Sequence, residues 1–251
     1  MNREPKALVG DDDPLELDLE ELLALTAHEL HEPLRKISAF GEMLKDRAGP
    51  SMDAESLDYL ERIERATGRM RTTLTRVIAF ARVPRGLPFV TIDLGEVVAG
   101  AIEKQREPIA QAGARVEVGP LPSIDGDPFQ MQLLFEQLLD NSVKFRREDV
   151  PLVVKIDAPG PPSGWQEVRV ADNGEGFDDT YAERIFRPFE RLHGRGKFDG
   201  AGLGLSICQK IAQRHGGRVA ARGTPGEGAV MTVTLPAAKA RGRAAQGQSA
   251  S

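Results

Sequence analysis

Two stretches in the first third of the chain repeat apolar or small residues at alternating steps of four and three. The stripe residues are Leu23, Ala27, Leu30, Leu34, Ile37, Gly41 and Leu44 in the first stretch, and Leu60, Ile63, Thr67, Met70, Leu74, Val77 and Ala81 in the second. Such a repeat places one stripe along each of two long helices. Because only the short segment AGPSMD separates them, the pattern predicts an antiparallel helical hairpin with arms of about 30 residues.

A hairpin of two such helices leaves apolar side chains beside the stripes without a partner. Leu19, Phe40 and Met43 flank the first stripe in this way. Pairing with a second copy of the hairpin supplies the helices needed to bury them. The sequence therefore predicts a homodimer held together by a four-helix bundle.

The pattern changes after ARVPRGLPF, a connector that contains Pro and Gly. Helices are predicted over residues 93–112 and after Asp127, each opened by an acidic N-cap. Strands are predicted for RVEV, LVVKI, EVRVAD, RVAAR and AVMTVTL. Several strands with helices on one side favour a two-layer α/β sandwich, so the whole chain is predicted to be an α+β protein.

The sequence predicts a chain organised in five parts. They are a disordered acidic leader over 1–14, the helical hairpin over 15–83, a linker over 84–90, the α/β domain over 91–236 and a disordered tail over 237–251. A chain of 251 residues with 40% hydrophobic residues can bury the cores of both domains.

Charge and composition narrow the choice of partners. The 33 Lys and Arg against 38 Asp and Glu give a net charge of -5, so no broad basic field is available for nucleic acid or an anionic membrane. No stretch approaches the roughly 18 uncharged apolar residues of a membrane helix, and the N-terminus has no signal-peptide pattern. We therefore expect a cytoplasmic protein without nucleic-acid binding or membrane insertion.

The first helix contains LTAHELHEPLRKI, which is unusual for a purely structural helix. His28 follows the stripe position Ala27 and is expected to face outward, next to Glu29. Pro33 removes a helical hydrogen bond and predicts a local bend. An exposed imidazole flanked by carboxylates can be held in one tautomer, with the other nitrogen free as a nucleophile. A solvated charged face is the alternative, while histidines three residues apart disfavour a zinc site.

Two segments of the second domain have nucleotide-binding character. QLLDNSVKF places Gln137, Asn141 and Lys144 on one helix face, where an amide oxygen suits Mg²⁺ and the lysine can reach phosphate. EVRVADNGEGFD ends a strand at Asp172, an acceptor for an exocyclic amine, before a glycine-containing turn. Each segment alone is also compatible with an ordinary helix or hairpin.

A third segment, RIFRPFERLHGRGKFDGAGLGLS, has a basic centre and then Gly200, Gly202 and Gly204 at the start of a helix. Unhindered amides at a helix N-terminus favour an anion such as a triphosphate. The spacing matches neither the Walker P-loop nor the Rossmann fingerprint.

Taken in order, HELHEPL, LLDNSVKF, DNGEGFD and RIFRPFERLHGRGKFDGAGLGLSI resemble the motifs of a two-component sensor histidine kinase over about residues 15–236. The His-Glu-x-x-Glu-Pro core is similar to that of the phytochrome-like subgroup. The resemblance implies a dimerisation and histidine-phosphotransfer hairpin and a Bergerat-fold ATP-binding domain. It further implies autophosphorylation with ATP and Mg²⁺, and phosphoryl transfer to an aspartate of a response-regulator receiver domain.

The resemblance also implies a role for individual residues. His28 would be the phosphoacceptor and Glu29 its activating base. Asn141 would bind Mg²⁺, and Asp172 would bind the adenine amine. The other nucleotide-binding positions would be Lys144, Gly174, Gly176, Phe186, Phe189, Gly202, Gly204 and Leu205, with the two phenylalanines hinging a lid over 190–201.

Departures from the family pattern leave two alternatives open. Glu32 stands where many members have Thr, Asn or Gln, and its carboxylate would repel a phosphorylated aspartate, so we expect weak phosphatase activity. Gln137 stands where related stand-alone ATPases have a glutamate that activates water. The alternatives are a catalytically weak scaffold and a Bergerat-fold ATPase.

With only about 14 residues before Leu15, sensory input is expected from a separate sensor protein or from a longer chain.

Overall fold

The structure is a computed structural model that describes residues 14–160, 164–192 and 201–238, without the side chains of residues 14–25 and His28. The predicted leader up to residue 13, the tail from residue 239 and lid residues 193–200 lie outside the described residues. The chain divides into two compact units, a hairpin unit that ends at Pro84 and an α/β unit that begins at Arg85.

The hairpin unit consists of α1, Pro14–Ala48, and α2, Ala54–Arg82, joined by a 3-10 turn at Gly49–Ser51. Helix α1 continues through Pro33. Asp53 caps α2, because its carboxylate accepts a hydrogen bond from the Ser56 N–H at 2.7 Å. The predicted helical hairpin is confirmed.

The two apolar stripes split into a buried row and an exposed row. Buried members are Ala27, Gly41, Leu60, Thr67 and Ala81. Exposed members, between 45% and 57% accessible, are Leu30, Ile37, Leu44, Ile63 and Met70. Residues seven apart share a helix face, so a four-three repeat contains two such rows. In a single copy of the hairpin, one row is therefore buried and the other is exposed.

The α/β unit contains four helices and seven strands within the described residues. The helices are α3 Leu94–Lys104, α4 Arg106–Gln111, α5 Pro128–Lys144 and α6 Gly204–Arg214. The strands are β1 Val90–Asp93, β2 Arg115–Val118, β3 Ser123–Gly126, β4 Val153–Asp157, β5 Trp165–Asp172, β6 Arg218–Thr224 and β7 Gly228–Pro236.

Five strands form the main sheet in the order β2-β4-β5-β7-β6. The β2-β4 pair is parallel and the other pairs are antiparallel. Alternate residues of the central strands, such as Val168 and Val170, are buried, as are the apolar residues on the inner faces of α5 and α6, such as Leu138 and Ile207. The Cys208 Sγ of α6 lies 3.6 Å from the Leu134 carbonyl oxygen of α5. The predicted sheet covered by helices is confirmed. Among the helices of the described residues, none has the length and hydropathy of a membrane-spanning segment.

Two local predictions need correction. The helix expected over 93–112 is broken at Gln105, because Pro108 has no N–H for the Lys104 carbonyl and instead lies in the first turn of α4. The two-stranded sheet of β1 and β3 was not predicted. Its four-residue strands bury few apolar side chains, chiefly Ile92 and Ile124. Strands this short do not show the apolar–polar alternation by which a strand is recognised in a sequence.

Candidate functional site

Polar side chains on one face of α5 form the centre of the site. The Gln137 Oε1 and the Asn141 Nδ2 are buried and have no hydrogen-bond partner among the described residues. Leaving a buried amide group unpaired costs about 1–3 kcal/mol, so such atoms mark a place where a polar ligand is expected. At the end of the same helix the Lys144 ammonium lies 4.7 Å from the centre of the Phe145 ring. The predicted polar face is thus partly buried, and two of its amide atoms lack partners from the described chain.

The N-terminus of α6 lies beside this face. A Cβ atom on Gly204 would lie 3.0 Å from the Gln137 Oε1, so a larger residue would crowd that amide. The N-cap residue, Leu203, contributes no side-chain hydrogen bond to the helix, and Leu205 in the first turn is half-buried. The first backbone N–H groups of a helix have no partner within it and favour an anion. The predicted anion-binding character fits this arrangement.

Asp172 stands at the end of β5, with its carboxylate held by two elements. Its Oδ1 accepts a hydrogen bond from the Gly174 N–H at 2.9 Å, and its Oδ2 accepts one from the Ser142 hydroxyl at 3.0 Å. Burial raises the pKa of this carboxyl, and the two hydrogen bonds oppose that shift. A carboxylate has about four acceptor sites, so Asp172 can still accept a hydrogen bond from a ligand.

The two glycines of the following turn make room for the protein's own backbone. A Cβ atom on Gly174 would lie 2.6 Å from the Phe145 carbonyl oxygen. Gly176 has a φ of +63°, and a Cβ atom there would overlap the Thr224 carbonyl oxygen. The Glu175 N–H donates to the Phe145 carbonyl at 2.8 Å. Packing therefore explains both glycines, and their predicted contact with a nucleotide stays a prediction.

The segment expected to form a lid is closed at its base by one backbone hydrogen bond. The Phe189 N–H donates to the Gly202 carbonyl at 2.9 Å. Phe189 has a φ of +63° and is 62% exposed, whereas Phe186 is buried. A positive φ at a residue other than glycine costs about 1 kcal/mol or more. Gly202 also has a positive φ, and a Cβ atom there would lie 2.7 Å from the Glu190 carbonyl oxygen.

The predicted catalytic pair lies in the hairpin unit. The backbone of His28 belongs to α1, while its side chain is outside the described residues, and Glu29 is exposed. His31, one turn further on, is half-buried with its Nε2 3.5 Å from the Thr75 hydroxyl of α2. In the α/β unit, Asn141 and Lys144 lie on α5, Asp172 is bonded to Ser142 of the same helix, and Gly204 lies against Gln137. His28 and Glu29 belong to the hairpin unit.

At the opposite end of α5 from Asn141, the predicted Asp127 cap is part of a larger hydrogen-bond network, whose long-range bonds no sequence pattern indicated. The Asp127 carboxylate accepts hydrogen bonds from the Phe129 and Gln130 N–H groups at 3.0 and 3.2 Å and from the Leu87 N–H at 2.6 Å. Arg214 of α6 donates to the Leu87 carbonyl at 2.9 Å. These bonds fix Leu87, a connector residue, to the α/β unit.

His215, at the end of α6, completes this network. The Asp127 N–H donates to the His215 Nε2 at 3.0 Å, and the Nδ1 lies 2.7 Å from the Ile211 carbonyl, which can only accept. These contacts assign a neutral ring with its proton on Nδ1. The ring also stacks on Phe89 with centroids 4.4 Å apart. His215 is therefore a structural residue at the C-terminal end of α6.

Acidification is expected to destabilise the α/β unit through His215. Burial lowers the pKa of this imidazole from its ordinary value of 6.5. Below about pH 6.5 the unfolded chain takes up a proton that the folded chain binds only at lower pH, so the free energy of unfolding falls as the pH drops through that window. Urea unfolding at a series of pH values should show this decline, and His215→Gln should flatten it. An unchanged slope in the variant would contradict the assignment.

Comparisons with known proteins match each unit to a family domain. Residues 18–86 match the His Kinase A (phospho-acceptor) domain, and residues 126–239 match the histidine kinase-, DNA gyrase B- and HSP90-like ATPases. The chain is 32% identical over 220 residues to phytochrome-like protein Cph1 of Synechocystis sp. and 28% identical over 221 residues to sensor histidine kinase ZraS of Klebsiella oxytoca. Each match covers 87% of this chain, but only 29% and 46% of those proteins.

Two solved structures are also similar to this chain. Full-length ShkA in complex with AMPPNP is similar with a TM-score of 0.68 and 26% identity, over 88% of this chain and 46% of that chain. The mycobacterial sensor histidine kinase MprB, at 23% identity and a TM-score of 0.52, covers 60% of this chain and 98% of its own and shares the fold.

Proposed function

Because the chain belongs to the sensor histidine kinases and carries both domains of their catalytic core, we propose that it phosphorylates itself from ATP on His28. The phosphoryl group then passes to an aspartate of a response-regulator receiver domain. The observation that carries the proposal is the pair of unpartnered buried amide atoms of Gln137 and Asn141 beside the N-terminus of α6. A triphosphate with its cation supplies the partners that these atoms lack.

The described residues fit ATP and Mg²⁺ in their chemistry. An ionised Asp172 can only accept, which suits the exocyclic amine of adenine. Asn141 would offer its amide oxygen to the cation, and Lys144 and the first N–H groups of α6 would bind phosphate oxygens. When bound, Mg²⁺ neutralises phosphate charge. The similar ShkA structure is a complex with AMPPNP, an ATP analogue, which supports the same ligand here.

The proposed chemistry assigns His28 and Glu29 separate tasks. The lone pair of one imidazole nitrogen attacks the γ-phosphorus, an N–P bond forms, and the bond to the bridging oxygen breaks with its electrons leaving on ADP. The proton on the other ring nitrogen is held by Glu29, which keeps the attacking nitrogen unprotonated. In the second step the N–P bond breaks as an aspartate oxygen of the receiver binds phosphorus, and the neutral imidazole is restored.

The exposed row of the hairpin supports a homodimer. Leu30 and Ile37 are about half exposed, and Phe40 beside them is 67% exposed. A second copy of the hairpin would cover this row and complete a four-helix bundle. A cytoplasmic location and a separate source of sensory input remain predictions.

Incubation of the protein with γ-labelled ATP and Mg²⁺ tests the proposal. A phosphohistidine is acid-labile and stable to alkali, so a protein-bound label with these properties supports the kinase. Release of phosphate without a labelled protein would support the ATPase alternative. The absence of both products would support the scaffold alternative, and either of these two results contradicts the proposal.

Weak phosphatase activity is predicted from Glu32. The Glu32 carboxylate lies 2.7 Å from the Lys36 ammonium on an exposed face of α1. A carboxylate there repels an incoming phosphorylated aspartate, so Glu32→Gln should accelerate phosphate release from a phosphorylated receiver. Glu42→Gln, which alters an exposed glutamate on the same helix, is the matched control. Rapid dephosphorylation by the unaltered protein would contradict the prediction.

A further inference from the structure

We propose that Ser142 is a positioning residue that holds the Asp172 carboxylate as an oriented hydrogen-bond acceptor and thereby sets the preference for adenine over guanine. The inference rests on the proposed function, since it requires a nucleotide base at Asp172. Ser142 lies next to Asn141 in α5, and no sequence pattern assigned it a role.

The serine hydroxyl has a single proton and two acceptors within reach. Its Oγ lies 3.0 Å from the Asp172 Oδ2 and 3.3 Å from the Leu138 carbonyl oxygen. That carbonyl already accepts the Ser142 backbone N–H in the helix. A hydrogen bond to a charged acceptor is stronger than one to a neutral acceptor. The proton is therefore donated to Asp172.

Both partners of this hydrogen bond, Ser142 and Asp172, are held in place by their surroundings. Ser142 is 3% exposed on a helix that also carries Leu138 and Leu139 in the core. The other carboxylate oxygen accepts the Gly174 N–H at 2.9 Å, and Gly174 cannot shift toward α5, because its Cβ position is already 2.6 Å from the Phe145 carbonyl oxygen. Two rigid elements thus fix the orientation of one carboxylate.

Hydrogen bonds, rather than neighbouring charges, offset the burial of Asp172. Burial raises the pKa of this carboxyl, and the bonds from Gly174, Ser142 and the Ala229 backbone lower it. Charged residues near this end of the surrounding elements include Asp140 and Lys144 on α5, Lys155 and Asp157 on β4, Arg169 on β5 and Glu175 in the turn. None of these charged side chains is among the causes of the shift. Loss of the serine hydroxyl therefore raises the pKa of Asp172 further.

The protonation state of Asp172 decides which base it recognises. An ionised carboxylate accepts a hydrogen bond from the 6-amino group of adenine and repels the O6 of guanine. A protonated carboxyl can donate to that O6. Ser142 therefore favours adenine by stabilising the ionised form of Asp172.

Binding of ADP and GDP to the full chain, measured by calorimetry from about pH 8 to about pH 5, tests this role. For Ser142→Ala we expect ADP affinity to fall by about tenfold, which corresponds to one hydrogen bond to a charged group. The ratio of ADP to GDP affinity should also fall, and the loss of ADP binding on acidification should begin at higher pH. Ser142→Thr, which keeps the hydroxyl, should restore the ratio and the pH profile.

Two further variants keep the test decisive. Ser142→Cys keeps the side-chain volume with a weak donor and should behave like alanine even if the alanine variant folds poorly. Thr234→Val removes another buried hydroxyl from the same sheet. It lies on β7, five residues from Ala229, which pairs with Asp172. This variant should change neither the ratio of ADP to GDP affinity nor the pH profile. Equal losses of ADP and GDP affinity with an unchanged pH profile would overturn the proposal. Failure of the unaltered protein to bind ADP would overturn the proposed function as well.

Discussion

His28→Gln is expected to abolish incorporation of acid-labile phosphate from ATP, while ADP binding and the unfolding transition of the α/β unit stay unchanged. Glutamine has no nitrogen lone pair that can attack phosphorus, so no N–P bond can form. The residues proposed to bind nucleotide belong to the other unit and are not altered. Labelled ATP, followed by acid and alkali treatment of the protein, measures the effect.

His31→Gln is the matched control for this experiment. It removes the other histidine of the same motif, which is half-buried with its ring near Thr75 of α2. We expect this variant to retain the acid-labile label. Labelling that survives in His28→Gln but is lost in His31→Gln would move the phosphoacceptor to His31 and contradict the assignment.

Asp127→Ala is expected to lower the free energy of unfolding of the α/β unit by about 3 kcal/mol. The carboxylate caps α5 through the Phe129 and Gln130 N–H groups, and it also binds the Leu87 N–H. Alanine leaves these three donors without that acceptor, and Asp127 itself is only 1% exposed. Urea unfolding followed by the fluorescence of Trp165, the single tryptophan, reports on this unit.

Asp93→Ala provides the comparison, because it removes a cap of the same chemistry from the same unit. Asp93 is exposed and its carboxylate accepts one hydrogen bond, from the Gly95 N–H at 2.7 Å. We expect this variant to lose about 1 kcal/mol. Equal losses in the two variants would mean that burial and the bond to the connector at Leu87 contribute nothing.

The fixed connector changes the expectation for movement between the units. Transfer from a nucleotide in one unit to His28 in the other requires the connector to flex. Leu87 and Phe89 are bound to Asp127, Arg214 and His215 of the α/β unit. Movement that keeps these contacts is confined to the residues before Gly86. Gly86 itself is closely packed, because a Cβ atom added there would overlap the surrounding side chains.

Local sequence patterns determined the helices of the hairpin, five of the seven described strands and the order of the nucleotide-binding segments. Each of these features is encoded by residues close together in the chain, through a period of about 3.6 or 2 or through a cap or turn. The caps at Asp93 and Asp127 were recognised for the same reason. Gln137, Asn141 and Lys144 could be placed on one face because helix geometry relates near neighbours.

Only the tertiary structure decided which row of each stripe is buried, because a four-three repeat gives both rows the same sequence signal. It also decided that the Ser142 hydroxyl meets Asp172 thirty positions later and that His215 meets Asp127 eighty-eight positions earlier. Neither pair has a local pattern, since each depends on how α5 packs against β5 and α6. Gly174 and Gly176 were recognisable as turn residues, but their closest neighbours, Phe145 and Thr224, were fixed by long-range packing.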